Sequence, residues 1–320
     1  MSDPIGEGGT DPIPEPWRRG FAVVIPALDE APVIPDLIRE LRATFERHGL
    51  EGEVILIDDG STDGTAALAE REGKGWPEFR VLRHRTNLGK TEAIMTAARA
   101  SNREVLVVFD ADLQHSPESI PDFLRKIASG WDVVCARKIG AYDKAVVSTV
   151  YNRLSRRIFR VPVSDLNSMK AFRRSILDEI HLRHDWHRFF VVLAHARGYR
   201  VTEMDVELHP RRAGVSKYSG AWRVLVGVVD LLSVWFLLLF SRKPLLLFGT
   251  LGAILIVLGA LIGAAAVYLR VVHALGFRPL LDFVVLLESV GFTLLGFGLL
   301  AEMVAHLREE VEELRRSLRS

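Results

Sequence analysis

A long apolar run near the end of the chain does most to limit what this sequence can fold into. No charged residue occurs between Leu245 and Leu269 in a chain of 320 residues. A helix of that length crosses the ~30 Å hydrocarbon core of a bilayer with some tilt. A second apolar segment runs from Phe283 to Ala301 and is interrupted by Glu288, whose role the sequence leaves open. We therefore predict a transmembrane hairpin of two helices over residues 244–305.

A third apolar segment, Val224 to Phe240, carries Asp230 near its middle. It could span the bilayer or lie on its surface. Basic residues beside the helices distinguish the two, because they collect on the cytoplasmic side. If the segment lies flat, Arg242 and Lys243 share one side with the arginines of the C-terminal tail. That arrangement places most of the basic residues on the cytoplasmic side, so we predict an interfacial amphipathic helix over residues 219–243.

The two ends of the chain carry simpler patterns. Residues 1–20 are rich in Gly, Pro and acidic residues and lack the apolar core of a signal peptide, which predicts a disordered tail. Residues 306–320 are expected to form a cytoplasmic helical tail. Its apolar residues share one helical face, which fits either the seam of a homo-oligomer or a solvated amphipathic end. They are Leu307, Val311, Leu314 and Leu318.

Residues 21–218 have the pattern of a soluble domain in which strands and helices alternate. Phe21 to Ala27 is an apolar strand, and the next segment has apolar residues at helical spacing and stops at Gly49. Several such units in succession predict an α/β fold with a Rossmann-like, mostly parallel sheet and helices on both faces. Ligands of such sheets bind beyond the carboxyl ends of the strands. Four polar clusters fall there, at residues 29–30, 58–59, 87–90 and 110–114.

Composition and missing motifs exclude several classes of protein. The formal net charge of +1 gives no global field that would attract nucleic acid. The single cysteine, Cys135, excludes an intrachain disulfide and suits a reducing compartment. The stretch LGKT resembles the end of a Walker loop, but His84 stands where that loop needs a glycine. No GxGxxG, HExxH, CxxC or GxSxG pattern supports a dehydrogenase, a zinc site or a serine hydrolase.

Oxygen-bearing side chains follow one buried strand at every second position, in FDADLQH. Asp110 and Asp112 supply carboxylates and Gln114 supplies an amide oxygen, a set that Mg²⁺ or Mn²⁺ prefers. The alternative is a pair of aspartates that caps the following helix. We assign His115 a structural role beside this motif rather than a catalytic one.

The stretch DDGSTDGT follows the second strand. Asp58, at the strand end, can accept hydrogen bonds from a nucleobase or ribose, and its glycines permit a tight turn. Asp63 or Thr62 can cap the helix that follows. After the first strand, Glu30 is placed to reach a ribose or base. These two loops therefore predict a nucleoside site.

Five stretches occur in the order VVIPALDE, DDGSTDGT, NLGKTEA, DADLQHSPE and HPRRAGVSKY. Together they resemble family 2 glycosyltransferases of A-type fold. More narrowly, they resemble polyprenyl-phosphate glycosyltransferases related to dolichol-phosphate mannose synthase, of the bacterial type with two C-terminal membrane helices. The resemblance covers about Phe21 to Tyr218. Where relatives have a glycine and an aromatic residue after an aspartate, this chain has Ser168 and Met169 after Asp165, so donor or acceptor preference can differ there.

The resemblance implies several groups of site residues. The residues that would bind the nucleoside are Pro26, Leu28, Glu30, Ile57 and Asp58, with Lys90 nearby. Those that would meet the donor diphosphate and its Mg²⁺ or Mn²⁺ are Asp110, Ala111, Asp112 and Gln114. Those that would hold phosphates of the donor or the acceptor are Arg137, Arg211 and Lys217. Those that would contact the lipid phosphate are Arg137, Lys144 and Ser148. The catalytic set would be Asp110, Asp112 and Arg211.

The resemblance also implies an activity and a place for it. One sugar would pass, with inversion, from a nucleotide sugar to undecaprenyl or dolichyl phosphate in a metal-dependent reaction of cell-envelope glycan synthesis. The catalytic domain would lie in the cytoplasm and the chain would be a multi-pass protein of the inner membrane. Basic residues outnumber acidic ones between Arg137 and Arg174, which suits an anionic bilayer surface. A processive polysaccharide synthase, despite the missing QxxRW motif, and a catalytically silent scaffold stay open as alternatives, and the sugar, the base and the lipid length stay undetermined.

Overall fold

The structure is a computed structural model that describes residues 13–139, 161–166, 168–180, 182, 186–210, 236, 244–273, 276 and 278–317. The chain divides into two compact units, Met1–Val228 and Val229–Ser320. We call them the sheet unit and the hairpin unit. The predicted interfacial helix at 219–243 lies outside the described residues except for Phe236.

The sheet unit is built on one seven-stranded sheet in the order β3-β2-β1-β4-β6-β5-β7. Its strands are β1 (Phe21–Ala27), β2 (Glu53–Asp58), β3 (Phe79–Arg83), β4 (Val105–Val108), β5 (Val133–Ile139), β6 (Lys170–Arg173) and β7 (Val201–Glu207). All residues of β4, and all of β1 except Pro26, are buried. Because successive side chains point to opposite faces, both faces of the central sheet are covered.

Helices connect the strands in the order that the alternating pattern predicts. They are α1 (Glu15–Arg19), α2 (Ile34–His48), α3 (Thr65–Glu72), α4 (Lys90–Ala100), α5 (Ile120–Ala128), α6 (Ile176–Glu179) and α7 (Phe190–Ala196), with short 3₁₀ turns at Pro117–Ser119 and Trp186–Arg188. In α2 the buried residues recur at helical spacing, and Gly49 ends the helix with a φ of 58°. The predicted strand, helix and stop are therefore confirmed.

The sheet is mostly parallel, as predicted, with one exception. Strand β6 runs antiparallel to both of its neighbours, β4 and β5. Strands β1, β2, β3 and β4 are parallel to their neighbours in that half of the sheet. Because their carboxyl ends meet at one edge, the loops that carry the four polar clusters begin there. Alternation in the sequence cannot reveal the direction of β6, since an isolated strand has the same side-chain period in either direction.

The expected disordered tail at 1–20 needs a correction at its end. Helix α1 forms within that range, and Ile13 before it joins the core. The Arg18 side chain donates to the Ile13 carbonyl at 3.1 Å, and the Glu51 N–H donates to the Arg18 carbonyl at 2.8 Å. Proline near the helix start and an apolar pair, Ile13 and Trp17, are enough to attach this short segment to the sheet unit.

Among its described residues, the hairpin unit contains the two long helices α8 (Pro244–His273) and α9 (Arg278–Ser317). The two helices are antiparallel and meet at glycines. A Cβ atom at Gly252 would lie 2.6 Å from the Gly291 carbonyl oxygen, and one at Gly298 would lie 3.1 Å from the Gly249 nitrogen. The backbones therefore approach closely, as small residues allow in helix pairs surrounded by lipid.

Both helices are long and apolar enough to cross a membrane, over Pro244–His273 and Arg278–Leu307. Most of their large apolar side chains are exposed, Leu246 to 66% and Val271 to 77%. Such exposure suits contact with lipid. The Glu302 Oε2 atom accepts a hydrogen bond from the Leu245 N–H at 3.1 Å, which satisfies a donor at the start of α8.

Residues 306–317 of the predicted helical tail lie within helix α9. Helix α9 continues without a break to Ser317. Its polar end is therefore an extension of the second apolar helix. Glu288, which interrupts the apolar segment, lies against α8, where a Cβ atom at Gly259 would be 2.8 Å from its Oε1 atom.

Candidate active site

The loops after β1 and β2 interlock at the carboxyl edge of the sheet. The Asp29 N–H donates to the Ser61 hydroxyl at 2.9 Å, and the Thr62 N–H donates to the Asp29 carboxylate at 2.8 Å. The Glu30 N–H donates to the Thr65 hydroxyl at 2.9 Å. Asp29 has a φ of 47°, which turns the chain sharply after β1. These contacts fix the backbone around the predicted nucleoside site.

Asp63 bonds to the first residue of α3, but the N-cap position is Gly64 and not the predicted Asp63 or Thr62. Its carboxylate accepts hydrogen bonds from the Thr65 N–H at 3.0 Å and from the Ala31 N–H at 3.0 Å. Partial burial would raise the pKa of Asp63, but these hydrogen bonds and that of the Thr65 hydroxyl lower it below its ordinary value. Thr62, the other candidate, bonds to Asp29 instead.

The structure brings the predicted nucleoside residues together. Pro26 pairs with Ile57 in the sheet register, one step before the strand ends where Ala27 pairs with Asp58. Leu28 and Glu30 follow directly in the interlocked loop. The Asp58 side chain is buried, and its Oδ1 atom accepts a hydrogen bond from the Ser61 N–H at 3.2 Å.

A buried network joins the loop after β2 to the loop after β3. The Asp59 carboxylate accepts hydrogen bonds from the Leu88 N–H at 2.9 Å and the Gly89 N–H at 2.8 Å. It also lies 2.7 Å from Nδ1 of His84, whose Nε2 lies 2.9 Å from the Thr96 hydroxyl. Since the carboxylate only accepts, Nδ1 is the donor. The second aspartate of DDGSTDGT thus orders the NLGK loop.

The DADLQH motif forms a tight turn after β4. Leu113 has a φ of 53°, and the Asp112 Oδ1 atom accepts a hydrogen bond from the Gln114 N–H at 3.2 Å. Asp112 and Ala111 are buried. The Gln114 carbonyl accepts the His209 N–H at 2.8 Å, so this turn is tied to the segment after β7.

Asp110 lies in an ion pair with Lys90, the first residue of α4. The Asp110 side chain keeps about a third of its surface exposed, 34%. Burial would raise the pKa of Asp110, but attraction to the Lys90 ammonium and its hydrogen bond lower it below the ordinary value. The carboxylate is therefore held ionised.

The donor set at this turn fits a hard divalent cation. Asp110 and Asp112 provide carboxylates and Gln114 an amide, all following one strand. Within the described residues no group of three His, Cys, Asp or Glu side chains is close enough to bind a metal by itself. A pair of carboxylates is typical of Mg²⁺ and Mn²⁺ sites that are completed by substrate phosphates and water.

Arg137 does not face this turn with a free guanidinium. It pairs with Asp205 of β7 through two contacts, one of 2.7 Å, and with Glu203 at 3.3 Å. These carboxylates raise the pKa of Arg137. Its neighbour Lys138, which sequence reasoning did not single out, pairs with Asp165 at 2.9 Å.

Two buried polar groups lie beneath the site. His115 is 4% exposed, and within the described part of the chain its Nδ1 atom has no hydrogen-bond partner. Burial and the positive charge of Lys138 lower the pKa of His115, which favours the neutral ring. Lys170 of β6 is 5% exposed and donates to the Leu166 carbonyl at 2.9 Å. Burial lowers the pKa of Lys170 to about 8.

The departure from the family pattern at Ser168 and Met169 lies in the core. Both residues are buried. The Ser168 hydroxyl donates to the Asp165 carbonyl at 3.2 Å, so the pair shapes the turn that precedes β6. Four other predicted residues lie outside the described part of the chain: Lys144, Ser148, Arg211 and Lys217.

Interlocked loops beside paired aspartates, at the edge of this sheet, form the arrangement expected from the motifs. The family model described as Glycosyl transferase family 2 matches residues 22–196. The chain belongs to glycosyl transferase family 2. The site therefore lies in a glycosyltransferase, and the matched residues include the whole of the DADLQH turn.

This family 2 glycosyltransferase is similar to curated proteins over nearly its whole length. It is 31% identical over 309 residues to undecaprenyl-phosphate 4-deoxy-4-formamido-L-arabinose transferase of Klebsiella pneumoniae, with 92% of this chain and 91% of the relative covered. It is also 31% identical over 319 residues to dodecaprenyl-phosphate galacturonate synthase of Rhizobium johnstonii, with 95% and 91% covered. The names of both relatives contain a polyprenyl phosphate and a sugar.

Solved structures of glucosyl-3-phosphoglycerate synthase from Mycobacterium tuberculosis resemble the glycosyltransferase in fold. The complex with Mn²⁺, UDP-glucose and phosphoglyceric acid gives a TM-score of 0.57 at 19% identity and covers 71% of this chain and 86% of that one. The complex with Mg²⁺ and UDP gives 0.55 at 20%, covering 67% and 79%. The likeness confirms the predicted A-type fold.

Sequence reasoning missed three features of the glycosyltransferase site: the Asp59–His84–Thr96 network, the Lys138–Asp165 pair and the buried ammonium of Lys170. The doubled aspartate in DDGSTDGT was the one signal for the first of them, because a capped turn needs only a single carboxylate. The other two depend on β6 lying beside β4 and β5, which no local pattern shows.

Proposed function

We propose that this glycosyltransferase moves one sugar from a nucleotide sugar to a polyprenyl phosphate in the membrane. The observation that carries the proposal is the extent of its similarity to two lipid-phosphate sugar transferases, which covers 92% and 95% of the chain. The family match ends at residue 196. The longer similarity therefore includes the hairpin unit, the part suited to a membrane.

The interlocked loops after β1 and β2 would bind the nucleoside. Asp58 and Glu30 would accept hydrogen bonds from the base or ribose, while Pro26, Leu28 and Ile57 would supply apolar contact. The loops are already fixed by hydrogen bonds between them. A site ordered before binding loses less conformational entropy when the donor enters.

Asp110, Asp112 and Gln114 would hold Mg²⁺ or Mn²⁺ together with the donor diphosphate. A bound cation of this kind supplies electrostatic stabilisation of negative charge on a leaving diphosphate. Lys90, Arg137, Arg211 and Lys217 would add positive charge around the phosphates. For Arg137 this requires that the guanidinium exchange its present partner, Asp205, for a phosphate oxygen.

The acceptor oxygen would come from the lipid monophosphate, which is already ionised at neutral pH. Lys144 and Ser148 would orient it. The bond from this oxygen to the anomeric carbon forms as the bond from the anomeric carbon to the donor diphosphate breaks. The nucleoside diphosphate leaves with the electron pair, and the anomeric configuration inverts. No strong general base is needed, which agrees with the burial and neutral state of His115.

We place the glycosyltransferase in the inner membrane as a multi-pass protein with the sheet unit in the cytoplasm. The support is the pair of membrane-capable helices and the basic residues beside them in the sequence. In this arrangement a soluble nucleotide sugar and a lipid acceptor meet at the membrane surface.

The test is a transfer assay on the full chain in mild detergent. Labelled nucleotide sugars with different bases are each incubated with undecaprenyl phosphate and Mn²⁺, and the lipid fraction is extracted. We expect label in the lipid with one donor, only when the lipid phosphate is added, and loss of that label with a chelator. Absence of label in the lipid with every donor would contradict the proposal.

Asp112→Ala provides the matched loss of function. It removes one carboxylate of the DADLQH turn, so transfer should fall by at least about 10²-fold. The unfolding temperature should stay close to that of the unaltered protein. Asp122→Ala removes an aspartate from α5 that pairs with Arg125, and it should leave transfer unchanged.

A further inference from the structure

Lys90 is paired with Asp110, the first carboxylate of the DADLQH motif. Its ammonium group bonds to the Asp110 Oδ1 atom, and 24% of the Lys90 side chain and 34% of the Asp110 side chain are exposed. The pair is therefore partly exposed to solvent at the carboxyl edge of the sheet. A cation supplied by the protein already sits on an oxygen that the proposed function gives to Mg²⁺ or Mn²⁺.

Hydrogen bonds fix the backbone of the loop before Lys90 and so favour the contact between Lys90 and Asp110. Asp59 accepts the N–H groups of Leu88 and Gly89, the two residues that directly precede Lys90. Gly89 has a φ of 88°, a conformation that favours glycine and turns the chain into α4. Lys90 thus starts α4 from a fixed backbone.

The same anchor reaches the helix that Lys90 begins. Asp59 also bonds to His84 at the start of the loop, and His84 reaches Thr96, which lies within α4. Both side chains of the Asp59–His84 pair are buried. The loop is therefore held at its first residue, at its last residues and on the following helix.

Lys170 also lowers the pKa of Asp110, but this lysine already has a hydrogen-bond partner. Lys170 is buried and donates to the Leu166 carbonyl at 2.9 Å. Replacing Lys90 therefore leaves Asp110 with less positive charge, and among the described residues Lys170 is not ready to take its place because it is bonded to the Leu166 carbonyl.

An ammonium and a divalent cation on one carboxylate repel each other and compete for its oxygen atoms. A nucleoside diphosphate changes that balance, because its phosphate oxygens offer Lys90 a second anionic partner through charge-assisted hydrogen bonds. Each ligand should then bind better in the presence of the other, and such coupling is reciprocal.

We propose that Lys90 is a resident counter-ion of Asp110 that couples cation binding to nucleotide binding. Without nucleotide, it neutralises Asp110 and opposes the divalent cation. With nucleotide, it moves to the diphosphate and frees Asp110. Because this exchange takes a nucleotide as ligand, it rests on the function proposed above.

The test measures Mn²⁺ binding to the full chain in mild detergent by electron paramagnetic resonance, with no nucleotide, with UDP and with GDP. In the unaltered protein, one nucleoside diphosphate should tighten Mn²⁺ binding at least tenfold. In Lys90→Met, Mn²⁺ alone should bind several-fold more tightly than in the unaltered protein, while the tightening by nucleotide shrinks to about threefold or less. Lys90→Arg keeps the charge and should restore weak binding of Mn²⁺ alone.

Lys126→Met is the matched control, because it removes the same charge from an exposed position on α5. It should bind Mn²⁺ like the unaltered protein in every arm. Thr96→Val loosens the anchor without changing any charge at Asp110, and it should give Mn²⁺ affinities between those of the unaltered protein and Lys90→Met. Thermal unfolding of each variant checks that it is folded.

The outcomes separate this inference from the proposed function. If nucleotide binds normally but Lys90→Met and Lys126→Met show the same Mn²⁺ affinity without nucleotide, Lys90 is no competitor and the inference is overturned, while the function stands. If no nucleoside diphosphate binds to the unaltered protein at any Mn²⁺ concentration, both the function and the exchange are contradicted.

Discussion

Large apolar side chains are mostly buried in the sheet unit and mostly exposed in the hairpin unit. In the sheet unit Phe21 is 0% exposed and packs on Phe45 with ring centroids 5.7 Å apart. In the hairpin unit Leu246 is 66% exposed, whereas Gly252 and Gly259 are buried. Large side chains fill the interior of one unit, and the smallest residues fill the contact between the helices of the other.

Each unit is therefore adapted to its own solvent. In water, removing apolar area from solvent is the main favourable contribution to folding. In lipid, an apolar side chain gains little by leaving the solvent, so close backbone packing matters more. One glycosyltransferase chain therefore combines a unit suited to a soluble donor with one suited to a membrane acceptor.

The largest expected effect comes from deleting a core side chain of the sheet unit. Phe21→Ala should lower the free energy of unfolding of that unit by about 3–5 kcal/mol, because it leaves a cavity in a filled interior. Leu246→Ala removes an apolar side chain of the hairpin unit and should change stability by about 0.5 kcal/mol or less. Urea unfolding in mild detergent, followed by tryptophan fluorescence, measures the sheet unit, and titration with a denaturing detergent, followed by helical circular dichroism, measures the hairpin unit. Similar losses for the two variants would remove the contrast between the units.

A smaller effect is expected where a methyl group enters the helix contact of the hairpin unit. Gly252→Ala places a Cβ atom 2.6 Å from the Gly291 carbonyl oxygen, so it should destabilise the hairpin by about 1–3 kcal/mol. Gly296→Ala is the matched control, since nothing lies within 4 Å of a Cβ atom there. It should be neutral or stabilise by up to about 1 kcal/mol. Loss of helical circular dichroism during titration with a denaturing detergent measures both, and equal midpoints would show that the glycine contact is unimportant.

A weaker effect is expected at Glu118 of the sheet unit, whose hydrogen bonds depend on pH. Glu118 is 41% exposed and accepts hydrogen bonds from Thr44, Arg47 and His48 of α2. Burial would raise the pKa of Glu118, but these partners lower it below its ordinary value of 4.5. The stabilisation is thus present above pH 4.5 and is lost as the pH falls through the lower pKa of the folded state.

Glu118→Gln should accordingly lower the free energy of unfolding by less than about 1 kcal/mol at neutral pH, since the Glu118 side chain is 41% exposed. The difference between the variant and the unaltered protein should disappear as the pH falls below the pKa of Glu118 in the folded state. Urea unfolding at several pH values gives the comparison. A difference that stays constant with pH would show that the carboxylate charge contributes nothing.

The comparison also explains which parts of the molecule were predictable. Strand β1, helix α2 and its stop at Gly49 follow from local periodicity, and the two membrane-capable helices follow from length and composition. The DADLQH turn was predicted as a site because carboxylates at alternate positions have no structural purpose in a strand. Local chemistry was sufficient for these elements.

The remaining features depend on contacts between residues distant in the sequence. The antiparallel direction of β6 is set by its neighbours, since its own residues fit either direction. The ion pair of Lys90 with Asp110 and the bond of Asp59 with His84 join loops from different strands. Helix α1 is held because Ile13 lies in the core and Trp17 packs against it. The high content of Gly, Pro and acidic residues in this segment gave no indication of that packing.

The stoichiometry of one turnover shows whether a single sugar is transferred to each lipid phosphate. Once the donor is identified, purified glycosyltransferase is mixed with limiting undecaprenyl phosphate, and both released nucleoside diphosphate and lipid-linked sugar are counted. We predict equal amounts, one sugar for each lipid phosphate, and no release when the lipid is omitted or in Asp112→Ala. Release without lipid, or many sugars on each lipid, would contradict transfer of a single sugar to a polyprenyl phosphate.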